Sequence, residues 1–131
     1  MALRTAGTIL VIDDEPSLVR ALVLLLRRDG YQVETASDGR HALAQLQAQR
    51  YDVIVSDLSM PEMDGHAFYL LLRQQFPWLA RRVIFLTGAY REDPSVAFLA
   101  QCGQPWLAKP CPIAVLRRAI QQVLRRATSA Q

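Results

Sequence analysis

Residues 53–65 read VIVSDLSMPEMDG, and this stretch decides the fold. Its first residues are apolar and β-branched, as in a buried strand, and the run ends at a carboxylate, Asp57. Pro61 and Gly65 follow and indicate a loop that leads into a helix. A charge at the end of a buried strand is costly unless a partner compensates it. We therefore expect a cation near Asp57, and we expect its carboxylate to lie at an open edge of the sheet rather than to be buried.

Composition limits the classes of protein that the chain can represent. It has 131 residues, of which 51% are apolar, enough for one domain with a real core. No run of 18 apolar residues predicts a membrane span, and the N-terminus does not resemble a secretion signal, so we expect a cytoplasmic protein. Cys102 and Cys111 lack the spacing of a metal site and fit reduced thiols. The net charge is only +3 and no basic stripe is present, which argues against direct nucleic-acid binding.

Hydrophobic periodicity predicts strands and helices in strict alternation. Short apolar runs alternate with longer amphipathic segments, which favours a five-stranded parallel sheet covered by helices on both faces, a doubly wound α/β fold. Pro105 cannot donate to a sheet ladder and predicts that the last strand lies at an edge. The predicted strands are residues 8–12, 31–36, 51–56, 82–86 and 105–108, and the predicted helices are residues 17–28, about 37–50, 65–75, 94–101 and 112–126.

Residues with reactive or charged side chains follow four of these strands. Ligands of a doubly wound sheet bind at the carboxyl ends of its strands, where the sequence has Asp13, Asp14, Asp57, Thr87 and Lys109. Arginine supplies 14 of the 15 basic residues, so Lys109 is the only lysine. Clustered carboxylates suit Mg2+, which prefers oxygen ligands and often binds beside phosphate. Because a carboxylate can attack phosphorus, this edge predicts a phosphoryl-acceptor site with Asp57 as the nucleophile.

The motifs LVIDDEP (10–16), VIVSDLSMPEMDG (53–65), IFLTG (84–88) and WLAKP (106–110) resemble the receiver domain of two-component response regulators. The resemblance covers about residues 8–126 and implies a flavodoxin-like (βα)5 fold with strand order 2-1-3-4-5, an order that comes from the resemblance alone. It implies one receiver domain over residues 1–131, with no output domain. It also implies a Mg2+ site whose ligands are Asp13, Asp14, Asp57 and the Ser59 backbone carbonyl. Asp57 would carry the phosphoryl group, Lys109 would bind it, and the Thr87 hydroxyl would act as a switch. The peptide bond before Pro110 would be cis.

Three positions depart from the usual receiver pattern. Trp106 stands where Tyr, Phe or His is usual, and an indole can only donate a hydrogen bond. Cys111 stands where Phe is common, and CGQP replaces the usual run before the fifth strand. This variation resembles receiver domains attached to hybrid sensor kinases.

Most of the candidate site residues also have a purely structural interpretation. Asp13 and Asp14 could cap the first helix. Thr87 and Lys109 could be an ordinary strand-end threonine and a solvated lysine, and Trp106 could be a packed aromatic rather than a switch. His41 and His66 are interpreted as surface or helix-terminal residues.

The first helix carries more apolar residues than one core face needs. Residues 18–26 read LVRALVLLL, and Leu18, Leu22 and Leu25 suffice for a buried stripe. Val19 and Val23 are then expected near the surface beside the site. They either pack against the last helix or form a docking surface for a histidine phosphodonor, as the resemblance implies.

The preferred function is a phosphorelay switch rather than an enzyme. A histidine kinase or histidine phosphotransfer protein would phosphorylate Asp57. The face formed by the fourth helix, fifth strand and fifth helix would then change its affinity for a downstream protein. A homodimer is a further option. The alternative is a receiver-like interaction module that is not phosphorylated. A third option is an aspartyl-phosphate phosphatase, for which the chain leaves little room for a cap over a substrate.

Overall fold

A computed structural model describes residues 6–58, 65–88 and 94–129. Strands and helices alternate along these residues, as the sequence predicts. The strands are β1 (Thr8–Ile12), β2 (Gln32–Ala36), β3 (Val53–Asp57), β4 (Val83–Thr87) and β5 (Trp106–Ala108), and the helices are α1 (Pro16–Arg28), α2 (Gly39–Ala48), α3 (Gly65–Gln75), α4 (Pro94–Cys102) and α5 (Ile113–Ser129).

The five strands form one parallel sheet in the order β2-β1-β3-β4-β5. This order and the doubly wound α/β class confirm the predicted fold. Trp106 pairs with Phe85 and Ala108 pairs with Thr87, so β5 lies at the edge of the sheet, as Pro105 predicts. The Pro105 carbonyl accepts a hydrogen bond from the Phe85 amide at 3.0 Å, so the proline still contributes an acceptor to the sheet.

The core consists of two layers, one on each face of the sheet. Alternation along β1 sends Leu10 and Ile12 to the layer covered by α2, α3 and α4, and sends Ile9 and Val11 to the layer covered by α1 and α5. All residues of β3 and β4 are buried. The central strands therefore need apolar side chains on both faces, which explains their continuous apolar sequences.

Helix α1 corrects one part of the predicted core. Leu22 and Leu26 are its buried residues, whereas Leu25, which we expected in the core, is only partly buried, as is Leu18. Leu24 is 71% exposed. The buried pair is spaced by four residues, so the contact stripe of α1 is narrower than the apolar sequence suggests.

The structure also adds a 3-10 helix, Leu79–Arg82, between α3 and β4. Periodicity does not predict it, because short turns of this kind depend more on packing. Strand β3 begins at Val53 instead of the predicted residue 51. The Asp52 carboxylate accepts a hydrogen bond from the Thr8 amide at 2.8 Å, so Asp52 joins the start of β1 to β3 with its side chain.

Candidate functional site

The candidate site lies at the carboxyl end of the parallel sheet. Asp13 directly follows β1, Asp57 and Thr87 are the last residues of β3 and β4, and Lys109 directly follows β5. Backbone hydrogen bonds continue past the strand ends: the Asp13 amide donates to the Ala36 carbonyl at 3.1 Å, and the Lys109 amide donates to the Thr87 carbonyl at 2.8 Å. The sheet therefore holds the backbone of both residues and aligns them along one edge.

Three carboxylates come together at this edge. Oxygen atoms of Asp13, Asp14 and Asp57 all lie within 4.8 Å of one another. Asp14 is exposed, but Asp13 and Asp57 are buried, with 4% and 6% of their surface accessible. The expectation that Asp57 lies unburied at an open edge is therefore wrong. The reason is that Asp57 is still part of β3, and the next residue, Leu58, is itself buried.

Lys109 supplies the cation that the sequence leads us to expect near Asp57. Its Nζ donates a hydrogen bond to Asp13 Oδ2 at 3.1 Å and lies 3.3 Å from Asp57 Oδ2. The lysine side chain is 23% exposed, whereas those of Asp13 and Asp57 are 2% and 8% exposed. The solvated alternative for Lys109 is therefore wrong: the ammonium bridges two buried carboxylates.

The protonation of Lys109 reflects two opposing effects. Burial acts to lower its pKa, but the hydrogen bond with Asp13 and the charges of Asp57 and Asp13 outweigh burial, so the pKa lies above the ordinary value of 10.5. The ammonium therefore stays charged at neutral pH. Because folding raises this pKa, the charged Lys109 side chain stabilises the fold. This contribution is fully present below about pH 10.5 and is lost as the pH rises through the pKa of Lys109 in the folded protein.

Asp13 is held by both of its oxygens. Oδ2 accepts from Lys109, and Oδ1 accepts from the Glu15 amide at 3.0 Å. Helix α1 starts at Pro16 with Glu15 as its N-cap, and the Glu15 side chain makes no capping hydrogen bond. Asp13 thus holds the turn that leads into α1 but does not cap the helix, because the N-cap is Glu15 and its side chain makes no capping hydrogen bond.

The donor set fits Mg2+. Mg2+ binds oxygen ligands at about 2.1 Å in an octahedron, so carboxylate oxygens a few ångströms apart need only small shifts to share one ion. The oxygen atoms of Asp13, Asp14 and Asp57 meet this condition. Three carboxylates and one ammonium also leave an excess of negative charge that a divalent cation would offset. Ser59, whose carbonyl the resemblance implies as a further ligand, lies outside the described residues.

Thr87 is buried at the end of β4, with 3% of its surface accessible. Its carbonyl accepts the Lys109 amide, so its backbone is joined directly to the lysine. The structure thus brings all five predicted residues, namely Asp13, Asp14, Asp57, Thr87 and Lys109, to one edge of the sheet.

Comparison with known proteins agrees with this geometry. The family described as "Response regulator receiver domain" matches residues 9–121. The chain belongs to this family. A probable transcriptional regulatory protein, TcrX of Mycobacterium tuberculosis, is 35% identical over 119 residues, which are 91% of this chain and 50% of TcrX. The chain thus spans about half the length of this relative.

Solved receiver structures have the same fold. The signal receiver domain of a signal transduction histidine kinase from Syntrophus aciditrophicus is 37% identical, with a TM-score of 0.82, and the match covers 92% of this chain and 91% of that one. The response regulator TrrA of Thermotoga maritima, solved in complex with Mg2+-BeF, is 28% identical, with a TM-score of 0.76 and coverage of 89% and 98%. Among the described residues of this receiver domain, no helix is both long and apolar enough to span a membrane.

The departures from the usual receiver pattern lie before, on and after β5. Trp106 is 45% exposed, so the alternative of a packed aromatic holds only in part. The peptide bond between Lys109 and Pro110 is cis, as the resemblance implies. Cys111 and Lys109 line a cavity of about 350 Å3 with Leu18, Leu22, Leu86 and Leu116 among the apolar residues around it. A small thiol therefore stands beside an apolar space, next to the residue that bridges the carboxylates.

The α1 surface agrees only in part with its prediction. Val19 is partly buried and lines a cleft of about 190 Å3 together with Asp13 and Asp14, so it lies beside the site. Val23 is also partly buried, but it packs against the core layer that α1 shares with α5. The expectation that both residues lie near the surface is therefore too simple, because Val23 takes part in the packing alternative.

The two histidines agree with their sequence interpretation. Both are exposed and lie in helices, His41 in α2 and His66 at the second residue of α3. The His41 amide donates to the Asp38 carboxylate that caps α2, at 2.8 Å, and the His66 ring stacks on Phe98 with 4.2 Å between centroids.

The importance of Gly65 is missed by reasoning from the sequence. Its amide donates to the Leu58 carbonyl at 2.8 Å, and a Cβ atom at this position would lie 2.8 Å from Leu58 Cα and 3.0 Å from the Asp57 carbonyl oxygen. The start of α3 therefore packs directly on the backbone of Asp57 and Leu58. A glycine at the first position of a helix, where other residues are better helix formers, is the signal that could have indicated this close approach.

Proposed function

We propose that this receiver domain accepts a phosphoryl group on Asp57 and changes its partner binding in response. The observation that carries the proposal is the bridge from the Lys109 ammonium to the buried carboxylates of Asp13 and Asp57, at 3.1 and 3.3 Å. An ammonium at this distance from the acceptor oxygen suits the charge of an incoming phosphoryl group. The family membership of residues 9–121 supports the same reaction.

In this reaction an Asp57 oxygen attacks phosphorus. A bond forms between Oδ and phosphorus, and the bond between phosphorus and the donor's histidine nitrogen breaks, so the donor imidazole keeps the electron pair. Catalysis of such a transfer is mostly positioning and charge stabilisation. Lys109 is suited to move from the Asp57 carboxylate to a phosphoryl oxygen, and its raised pKa keeps it charged for that contact.

Mg2+ is the proposed cofactor. Asp13, Asp14 and Asp57 would hold it through carboxylate oxygens, together with the Ser59 backbone carbonyl. When bound, Mg2+ would reduce the charge repulsion between the acceptor carboxylate and the phosphoryl oxygens. This chain's own contribution is to fix Asp13 through its hydrogen bonds with Lys109 and Glu15.

Thr87 and Trp106 are the proposed switch residues. The Thr87 hydroxyl would donate to a phosphoryl oxygen, and the Trp106 ring, which is 45% exposed, would turn toward the space that the threonine leaves. Both residues lie on neighbouring strands joined by the sheet ladder. The α4-β5-α5 face would then change its affinity for a downstream protein or a second copy of the domain. We place this activity in the cytoplasm, with residues 8–126 acting as one receiver unit.

The decisive experiment is to incubate the protein with Mg2+ and acetyl phosphate and to measure its intact mass. We expect a single phosphoryl adduct that neutral hydroxylamine removes as free phosphate, leaving a hydroxamate, and no adduct in Asp57→Asn. Asp29→Asn is the matched control, because Asp29 pairs with Arg117 away from the site and should leave the adduct unchanged. A folded wild-type protein without an adduct would favour the non-phosphorylated module, and continuous release of phosphate from unrelated phosphate esters would favour an enzyme.

The proposed phosphodonor is a histidine kinase or histidine phosphotransfer protein that docks on α1 beside Val19. We expect Val19→Ser to slow transfer from a phosphohistidine protein about tenfold, the loss of one well-placed interface contact, while phosphorylation by acetyl phosphate stays unchanged. Val23→Ser is a comparison that should also lower thermal stability, because Val23 packs against the core. Equal transfer rates for wild type and Val19→Ser would exclude α1 as the docking surface at this position.

A further inference from the structure

A second cavity lies at the opposite end of the sheet from the carboxylates. It has a volume of about 490 Å3 and is formed where α2 ends, where the chain enters β3, and after α3. Its apolar wall includes Leu46, Tyr51, Phe76 and Leu79, of which Tyr51 and Leu79 are 1% exposed. Asp57 ends β3 at the far side, so the phosphoryl-acceptor chemistry does not use this cavity.

Trp78 forms the edge of the cavity and is 41% exposed. The guanidinium carbons of Arg50 and Arg82 lie 5.0 and 5.2 Å from the centroid of its ring. These distances are typical of cation–π contacts, which favour this arrangement of the indole and the two arginines. A large aromatic side chain thus lies between two arginines at the surface, beside an apolar recess.

The two arginines at this edge differ in their ion-pair partners. Arg82 lies 3.9 Å from the Asp52 carboxylate, and the second Asp52 oxygen accepts the Thr8 amide at 2.8 Å. Arg50 is exposed, and within residues 6–58, 65–88 and 94–129 no carboxylate lies at ion-pair distance from its guanidinium. The edge therefore presents an arginine that can pair with a carboxylate from another molecule.

We propose that this surface docks an acidic segment of a partner protein that inserts one large apolar side chain into the cavity. Trp and Arg are among the residue types that dominate binding energy at protein interfaces, and both border this pocket. The apolar wall suits the inserted side chain, and Arg50 suits a flanking carboxylate, for which its planar guanidinium offers two donors. This partner binds at the opposite end of the sheet from the phosphoryl acceptor and is separate from the histidine phosphodonor.

The test uses a Trp106→Phe background, in which Trp78 is the remaining tryptophan of the two in the chain. The probe is a short peptide with one phenylalanine flanked on both sides by aspartate and glutamate. We expect a saturable change in Trp78 fluorescence, weakened by added salt because an ion pair contributes. Arg50→Glu should weaken binding at least about tenfold, since charge reversal replaces attraction by repulsion. Arg118→Glu, an equal charge change at an exposed residue of α5, should leave binding unchanged.

Two control peptides separate the contribution of the inserted side chain from that of the ion pair with Arg50. Replacing the phenylalanine by serine should abolish binding through loss of the inserted side chain, and replacing the acidic residues by lysine should do so through repulsion from Arg50. The proposal is overturned if the acidic peptide does not bind, if Arg50→Glu binds as well as the background protein, or if 2-naphthoate binds as tightly as the peptide, which would indicate a small-molecule site. None of these outcomes bears on phosphorylation of Asp57, which the intact-mass experiment measures separately.

Discussion

At the residue scale, Gly65 provides the sharpest prediction. Alanine is the better helix former by about 1 kcal/mol, but its Cβ would lie 2.8 Å from Leu58 Cα, a backbone atom that cannot move alone. The clash should win, and we expect Gly65→Ala to lower the free energy of unfolding by about 1–3 kcal/mol, the usual cost of overpacking. Urea titration followed by circular dichroism measures this change.

Gly88→Ala is the control for this prediction, because a Cβ at Gly88 would have no atom of the described residues within 4 Å. Its effect should stay within about 0.5 kcal/mol, as for surface substitutions without special contacts. A Gly65→Ala variant as stable as wild type would show that α3 can shift away from β3 without cost.

Individual residues of the site could be predicted from the sequence because their chemistry is unusual for their positions. Asp57 ends β3, and Lys109, the only lysine of the chain, follows β5. Their opposite charges predict that they pair, and in the structure Lys109 Nζ lies 3.3 Å from Asp57 Oδ2. Burial could not be predicted in the same way. Whether Asp57 is exposed depends on how Leu58 and the start of α3 pack around it, and the periodicity of the strand carries no information about these contacts.

At the scale of elements, the apolar pattern predicted every strand and the five α-helices, because the helices bury one face and the central strands bury both. The errors lie where packing, not periodicity, decides. Helix α1 contains more apolar residues than its core contact uses, so the sequence pattern alone does not decide between Leu25 and Leu26. The 3-10 helix after α3 is too short to have a periodic signal.

The connection from β5 to α5 is the element whose packing should be easiest to improve. Cys111 borders a cavity of about 350 Å3 whose other lining residues include Leu22 and Leu116. Cys111→Leu places a larger apolar side chain beside this space and should raise stability by about 0.5–2 kcal/mol, as cavity-filling substitutions commonly do. Differential scanning calorimetry should detect this as a rise in Tm of several degrees.

Cys111→Ser is the matched control for this substitution. Serine has nearly the size of cysteine but is more polar, so it leaves the space unfilled and should not raise Tm. If Cys111→Leu melts at or below the temperature of wild type, the cavity cannot accept a side chain from this position without strain.

At the scale of the whole molecule, the sheet concentrates three carboxylates and one ammonium at one end. In the absence of metal, repulsion among the carboxylates opposes folding, and the sheet tolerates it because the strands are held by the two core layers. Stability and site chemistry are therefore linked: a cation that binds the folded acidic cluster must also stabilise the fold.

We therefore expect Mg2+ to raise the free energy of unfolding by about 1.4 kcal/mol for each tenfold increase in concentration above its Kd, as linkage requires for one site. Asp14→Asn removes an exposed carboxylate of the cluster without disturbing a buried contact. The gain in the free energy of unfolding should then begin only at about tenfold higher Mg2+, because about 1.4 kcal/mol of attraction to the ion is lost. Urea titrations over a Mg2+ series measure the gain per decade and the Mg2+ concentration at which it begins, and sodium chloride at equal ionic strength controls for screening. Identical Mg2+ dependence in wild type and Asp14→Asn, or the same gain with sodium chloride, would contradict a metal site at these carboxylates, because only a specific ion bound by Asp14 couples its charge to the stability of the whole sheet.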